Sequence, residues 1–222
     1  MVKGNLEVIA GACVAADVYA SGRIKIRSGS SIVGASVPYS SYIPSFPVLP
    51  TDQSGWNAQL LSGGQINLST LRGVYFAQQE EIEISGGTYT GPLTIIATKK
   101  IRVKGDLRAT NPEQGLLTLI APGKKEPEGC KYKWKEGKVT FEGRDGVKNV
   151  DALILAREFK PSEEETNTPV SLYGSIVVQK LGGKRPINLT YCGPELVAKS
   201  LPEALKSIEK SRSITLISWK EK

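Results

Sequence analysis

The sequence predicts an all-β fold, a right-handed parallel β-helix (β-solenoid), from three observations. Self-similar segments recur at a nearly constant spacing: the interval from Ala77 to Ala97 and the interval from Ile82 to Ile101 differ by one residue. Three segments are followed by a second strand that alternates charged residues with isoleucine or valine. A constant period of roughly 20 residues with strand-type chemistry indicates coils that stack on one another. The repeated element is an apolar pair followed by alanine, at Ala20, Ala77, Ala97, Ala121 and Ala156.

Two insertions interrupt the period, the first at about residues 36–60. Four prolines within thirteen positions exclude a ladder strand there, because proline cannot donate to a ladder. The stretch is therefore predicted to lie against the stack as an extended loop. Its aromatic residues either pack the loop onto the core or contact a sugar or protein partner; they are Tyr39, Tyr42, Phe46 and Trp56.

The second insertion, at about residues 122–149, is basic. Eight lysine and arginine residues stand against five acidic ones, a local excess of three positive charges. Residues 131–135 alternate lysine with aromatic residues, which predicts a β-hairpin or an aberrant coil that projects from the stack. Acidic residues of the same insertion offer internal neutralisation. The candidate polyanion-binding residues are Lys131, Lys133, Lys135 and Lys138, with Lys100, Arg102 and Lys104 on a neighbouring strand.

The chain is predicted to be one β-solenoid domain, residues 1–222, in which residues 4–34 form the first coils. Leucine and isoleucine at helical spacing after Pro194 predict short helices. A cap at about residues 193–219 is expected to cover the open end of the stack, where an uncovered coil exposes its backbone edge. Residues 214–219 are predicted to form the last strand.

The amino-acid composition limits the catalytic and metal-binding sites that the chain can form. The net charge is +7 and the chain contains no histidine, which removes the usual general base and the commonest metal ligand. Five aspartates occur, none paired, and the three cysteines have no metal-binding spacing. Glu81 and Glu83 are expected to face Lys100 and Arg102 one coil later, as a ladder of opposite charges. No catalytic residue, cofactor site or metal site is predicted.

The stretch from Gly73 to Ala121 resembles the C-terminal solenoid domain of bacterial pilus-assembly proteins related to PilX and the minor pilins. The similarity lies in its corner glycines and in apolar runs such as Leu93–Ile96 and Leu117–Ala121, and it extends to residues 152–156 and 172–177. The resemblance implies a non-catalytic role at a pilus or cell surface, with pilus or surface proteins as partners. We therefore expect an extracytoplasmic protein whose signal or anchor lies outside this sequence.

The sequence thus favours a structural or adhesive domain of a pilus-associated or cell-surface protein. A module that binds DNA or an acidic glycan is the first alternative, because of the basic insertion. A β-helix enzyme that acts on polysaccharides is the second, although such enzymes need clustered carboxylates. A self-polymerising solenoid of the bactofilin type is disfavoured by the two insertions and the predicted cap.

Overall fold

A computed structural model describes residues 6–8, 13–14, 18–19, 23–26, 28, 31–32, 36–38, 49–63, 65–128, 131–142, 146–162, 168–183 and 185–209, and the statements below refer to these residues. The fold is a parallel β-solenoid of about five turns with few helices, which confirms the predicted all-β parallel β-helix. The predicted last strand, residues 214–219, lies outside the described residues.

Short strands make up nearly all of the regular structure. The N-terminal strands are β1 Leu6–Val8, β2 Cys13–Val14, β3 Val18–Tyr19, β4 Ile24–Ile26, β5 Ser31–Ile32 and β6 Ser36–Val37. The next are β7 Gln59–Leu61, β8 Gln65–Ile66, β9 Gly73–Ala77, β10 Glu81–Ile84, β11 Gly87–Tyr89, β12 Leu93–Ile96, β13 Lys100–Val103, β14 Leu107–Ala109 and β15 Leu117–Ala121. The last are β16 Lys124–Glu128, β17 Lys131–Lys135, β18 Lys138–Phe141, β19 Asn149–Lys160, β20 Val170–Leu181 and β21 Ile187–Tyr191.

The helices are few and short. Single 3-10 turns occur at Ser54–Trp56, Leu68–Thr70 and Pro112–Gln114. Two seven-residue α-helices follow β21, α1 Pro194–Ser200 and α2 Glu203–Glu209. Pro194 occupies the first turn of α1, where its missing N–H costs nothing.

Each coil contributes strands to three faces, which we call faces A, B and C. Face A contains β7, β9, β12, β15 and the middle parts of β19 and β20, all parallel and in register. Face B contains β8, β10, β13, β18 and the ends of β19 and β20. Face C contains β11, β14, the starts of β19 and β20, and β21.

Alanines line the inner side of face A, as the repeat predicts. Ala121 lies opposite Ala156, and Ala97 follows Ile96, which pairs with both Phe76 and Ile120. Ala77, Ala97, Ala121 and Ala156 are all at most 2% exposed and belong to one core cluster. The predicted alanine ladder is therefore confirmed for these four residues, while Ala20 lies outside the described residues.

Face A is buried on its outer side as well. An apolar row runs across it in register, formed by Leu60, Phe76, Ile96, Ile120, Leu155 and Val177. Its middle is covered by Leu49, Trp56 and Leu205, whereas the two end residues, Leu60 and Val177, are 53% and 39% exposed. The apolar pair before each alanine thus supplies one side chain to each side of the sheet, as in sheets buried on both faces.

The helices lie on this outer side of face A, so the prediction that they cover the end of the stack is wrong. Ser200 accepts a hydrogen bond on Oγ from the Leu116 amide at 2.8 Å. Its carbonyl accepts another from the Thr118 hydroxyl at 2.9 Å. Val197 packs against Leu116 and Leu153. The outer row of face A is a continuous apolar surface. Helices that pack on it therefore remove more apolar area from water than helices packed on the end of a coil would.

The N-terminal strands form coils, but not the first coils of the stack. Their own repeat is regular, with Leu6 opposite Ile24 and Cys13 opposite Ser31. They join the far end of the stack, where β2 pairs with β21 through Cys13 and Asn188. The predicted placement of residues 4–34 at the start is therefore wrong: all coils are parallel, so either end of the stack offers an edge of the same kind.

The first predicted insertion, at about residues 36–60, is flanked by β6, which pairs with β3, and β7, which pairs with β9. The second is shorter than expected. In the second insertion, β16 and β17 form an antiparallel hairpin, which confirms that a hairpin leaves the stack. β18, however, pairs in parallel with β13 and β19. The insertion therefore ends at Gly137 instead of residue 149, because the apolar side chains of Val139 and Phe141 belong to the core.

Candidate functional site

The outer side of face B carries most of the charged candidates, and we call it the charged face. It consists of the outward-pointing residues in and directly after β10, β13 and β18 and at the ends of β19 and β20. These strands alternate, so that isoleucine, valine and phenylalanine point inward and charged residues point out. The residues are Glu81, Glu83, Lys100, Arg102, Lys104, Lys138, Glu142, Glu158, Lys160 and Lys180.

Opposite charges face each other between β10 and β13, as predicted. Glu81 lies opposite Lys100, and Glu83 lies opposite Arg102 in the adjacent coil. Arg102 is the centre of the network, with Nη2 at 2.8 Å from Glu81 and Nε at 3.3 Å from Glu142. Its Nη1 lies 3.5 Å from Glu83, which also pairs with Lys104. The predicted ladder at Glu81 and Glu83 is therefore confirmed.

Carboxylates neutralise the predicted cationic strand Lys100, Arg102 and Lys104. Lys100 Nζ lies 3.5 Å from Glu142 in the next coil. The hydrogen bond from Lys104, followed by the charges of Lys104 and Arg102, lowers the pKa of Glu83. Glu83 thus stays ionised and holds these cations in the ladder. The strand brings the three predicted residues together, but on a surface whose positive charge is already paired.

The hairpin holds the other predicted cations. The register places Lys131 opposite Glu128, Lys133 opposite Glu126 and Lys135 opposite Lys124. Lys131, Lys133 and Lys135 thus occupy alternate positions of β17, each paired with a residue of β16. Lys138 is not part of this group, because it begins β18 in the stack, beside Lys100 and Glu158. The candidate lysines of the hairpin and Lys138 therefore belong to different sheets.

A groove of about 370 Å³ opens on the charged face beside β8 and β10. Gln65 and Gln79 line it together with Glu81, Glu83 and Arg102, and Ile82 forms its floor. The two glutamines were not singled out by sequence reasoning, since Gln65 begins a short strand and Gln79 follows another, and neither belongs to a distinctive pattern. The groove is open, and Arg102 forms ion pairs with both of its carboxylates, Glu81 and Glu83.

Trp56 is a structural residue. Its side chain is 2% exposed and lies with Ile96, Ile120 and Leu155 on the outer side of face A. The indole Nε1 donates to the Pro50 carbonyl at 2.9 Å. Trp56 therefore packs its loop onto the stack. The other predicted contact aromatics, Tyr39, Tyr42 and Phe46, lie outside the described residues.

Two aspartates form structural joints at coil corners. Asp106 accepts hydrogen bonds from the amides of Lys148 and Asn149 and from the Asn149 side chain, at 2.6–3.0 Å. Burial opposes ionisation of Asp106, but these hydrogen bonds outweigh it and lower its pKa. Asp151 is 7% exposed and accepts from the Ala109 amide at 3.1 Å. The backbone carbonyl of Asp151 also accepts a hydrogen bond from the hydroxyl of Tyr89.

Other ionisable or reactive side chains also make structural contacts within the fold. Arg157 is buried, and its Nε donates to the Pro122 carbonyl at 2.7 Å. Burial lowers the pKa of Arg157 to about 10 and raises the pKa of the Cys192 thiol to about 11. Within the described part of the chain, no group of three or more cysteine or acidic residues is arranged to hold a metal ion.

None of the described helices is long and apolar enough to cross a membrane. Comparisons with family models, with curated proteins and with solved structures found no match to this chain.

Proposed function

We propose that this chain is a non-catalytic structural or adhesive domain of a pilus-associated or cell-surface protein. The observation that carries the proposal is the charged face, where Glu81, Glu83 and Glu142 each have a cationic partner in an adjacent coil. Such a ladder stabilises a long stack without a free reactive group. The resemblance of the coil pattern to pilus-assembly solenoids gives the setting.

The pKa shifts of the carboxyl groups support the same interpretation. A general acid at neutral pH needs a carboxyl whose pKa is raised, as in glycosidases. The carboxyls of Asp52, Glu83 and Asp106 are shifted the other way, each by the hydrogen bonds that it accepts. These carboxylates accept hydrogen bonds within the fold, and Glu83 also forms ion pairs.

Localisation on intact cells of the source organism tests the proposal. The full-length protein is tagged, and cells are treated with a membrane-impermeant biotin reagent or examined by immunogold microscopy. We expect biotinylation before lysis and gold at the cell surface or along pili. A cytoplasmic marker protein is the control. Labelling that appears only after lysis contradicts the proposal, as does release of products from pectin, alginate or hyaluronan by the purified protein.

A second candidate function is polyanion binding by the hairpin. It is favoured by the register, which brings Lys124 opposite Lys135 and places Lys131 and Lys133 at alternate positions of the same strand. If these lysines contact phosphates, log K falls linearly with log salt, by about 0.7–0.9 per contact. The candidate ligands are DNA and acidic glycans, which present closely spaced negative charges.

Fluorescence anisotropy with labelled DNA and with an acidic glycan, over a range of salt, tests this candidate. Changing Lys131, Lys133 and Lys135 to serine should flatten the slope by about two to three units. The matched control changes Arg72, Lys148 and Lys199 to serine, which removes the same charge from exposed positions outside the hairpin and the charged face. Equal effects of both triple variants, or no binding at low salt, would reject a hairpin site.

A further inference from the structure

Two of the seven asparagines begin the tripeptide Asn-X-Ser/Thr, in which X is any residue except proline. This tripeptide is the acceptor sequence for N-linked glycans, which are bulky hydrophilic groups on the surface of secreted proteins. The first copy occupies residues 67–69 (Asn-Leu-Ser) and the second occupies residues 188–190 (Asn-Leu-Thr). So short a sequence also occurs by chance, and the structure around each copy therefore decides whether it is a usable acceptor.

The first tripeptide forms an exposed turn. Asn67 directly follows β8 and precedes the 3-10 turn Leu68–Thr70. Leu68 is 1% exposed and belongs to the inner core, so the middle residue anchors the turn to the stack. Asn67, Ser69 and Thr70 are exposed. The acceptor asparagine and the hydroxyl residue of the tripeptide therefore both face solvent, on a segment whose position is fixed.

The carboxamide of Asn67 is held by its oxygen. Oδ1 accepts hydrogen bonds from the Ser69 amide at 3.1 Å and from the Ser69 hydroxyl at 2.9 Å. A backbone N–H only donates, so the Asn67 atom that faces it is the oxygen. The amide nitrogen Nδ2 is then the other branch of the planar group, directed away from these two bonds. The hydroxyl that defines the tripeptide thus contacts the side chain that receives a glycan.

The second tripeptide lies inside β21. Asn188 pairs with Ser171 of β20 on one side and with Cys13 of β2 on the other. Asn188 is half-buried, and in a strand it is separated from Thr190 by about 6.6 Å. A transferase that takes up this tripeptide must first remove it from two ladders of hydrogen bonds. The chain therefore contains one copy of the motif on an exposed turn and one copy tied into the sheet.

We propose that Asn67 is an N-glycan acceptor in the folded protein and that Asn188 is not. The inference rests on the proposed function, because this modification is typical of secreted and surface proteins. The donor is a sugar whose anomeric carbon carries a diphosphate. Nδ2 of Asn67 forms a bond to that carbon and gives one proton to a base of the transferase. The bond from the carbon to the diphosphate oxygen breaks, and its electron pair leaves with the diphosphate.

Peptide mapping by mass spectrometry of the full-length protein, purified from the source organism, tests the proposal. We expect a glycan on the peptide that contains Asn67 and an unmodified peptide around Asn188. Ser69→Ala should abolish the modification although Asn67 is retained, and Ser69→Thr, which keeps a hydroxyl, should preserve it. Thr190→Ala is the matched control and should leave the glycan in place. A surface-located protein with unmodified Asn67, or a glycan that is lost only in Thr190→Ala, would overturn the proposal.

A second experiment separates the acceptor from the location of the protein. The folded chain, produced without glycan, is incubated with UDP-glucose and a purified N-glycosyltransferase that recognises Asn-X-Ser/Thr. One hexose on Asn67 and none on Asn188 supports the proposal. The same result for a protein that surface labelling places in the cytoplasm supports the acceptor and contradicts the proposed function. Equal transfer to both asparagines contradicts the proposal, as does an unmodified Asn67 when a free peptide of residues 65–72 is modified.

Discussion

Ala121 lies directly opposite Ala156 in the adjacent coil, and both side chains are completely buried. Ala77 and Ala97 occupy the same inner row in preceding coils, so small side chains fill this part of the core. Replacing Ala97, which occupies the same row, with leucine should destabilise the protein by about 1–3 kcal/mol through overpacking. The measurement is urea unfolding followed by circular dichroism. Ala198→Leu, exposed on α1, should change the free energy of unfolding little, and equal effects of the two substitutions would contradict the row.

Trp56 fixes the loop and the helices to the outer side of face A. Trp56→Ala should cost about 3–5 kcal/mol, because a large buried side chain is lost above Ile96 and Ile120. Trp56→Phe keeps most of the packing and loses the hydrogen bond to Pro50, so a smaller loss is expected. Urea unfolding measures both. An alanine variant as stable as the native chain would mean that this layer is not part of the core.

Asp106 makes stability depend on pH. Its pKa is lowered from 3.8 in the folded state, so the folded state binds fewer protons than the unfolded state in acid. The contribution is therefore present above pH about 4 and is lost as the pH falls through the folded pKa. Urea unfolding between pH 3 and 6 should show this loss, and Asp106→Asn should reduce it. Glu113→Gln, at an exposed site, should leave the pH dependence unchanged.

Gly174 allows close contact between β19 and β20. A Cβ at this position would collide with the backbone carbonyl of Ala152, which cannot move without displacing its coil. Gly174→Ala should lower the free energy of unfolding by at least about 2 kcal/mol. At Gly182 the added Cβ would meet side chains at 3.7 Å, an ordinary contact. Gly182→Ala is therefore the control, and a tolerated Gly174→Ala would contradict the register of β20.

The sequence was sufficient for the coil repeat and for the charge ladder. Alanines spaced by one coil define one inner row, and the register of Glu81 with Lys100 follows from the same period. The outer apolar layer was harder to predict, although the apolar pair before each alanine indicates it. In a sheet with one solvent-exposed side, apolar residues alternate with polar ones, so a second consecutive apolar residue such as Ile96 indicates that both sides are buried. Helical leucines show that helices form, but not which surface buries them.

The order of the coils was not predictable from the sequence. Parallel coils offer an edge of the same kind at both ends of a stack, so strand pattern alone does not distinguish them. The long connection between β6 and β7 removes the constraint that consecutive coils must be neighbours. The end of the second insertion was missed for a similar reason, because Val139 and Phe141 fit either a hairpin strand or a coil.

The stacking of the N-terminal coils on β21 is the central structural claim, and a native cysteine tests it. Cys13 lies opposite Asn188. With Cys130 and Cys192 changed to serine, Asn188→Cys should form an intramolecular disulfide with Cys13 on oxidation, detected by peptide mapping. Gln65→Cys, in the first coil at the opposite end, should not. No disulfide between residues 13 and 188, or equal trapping of residues 13 and 65, would contradict the claim.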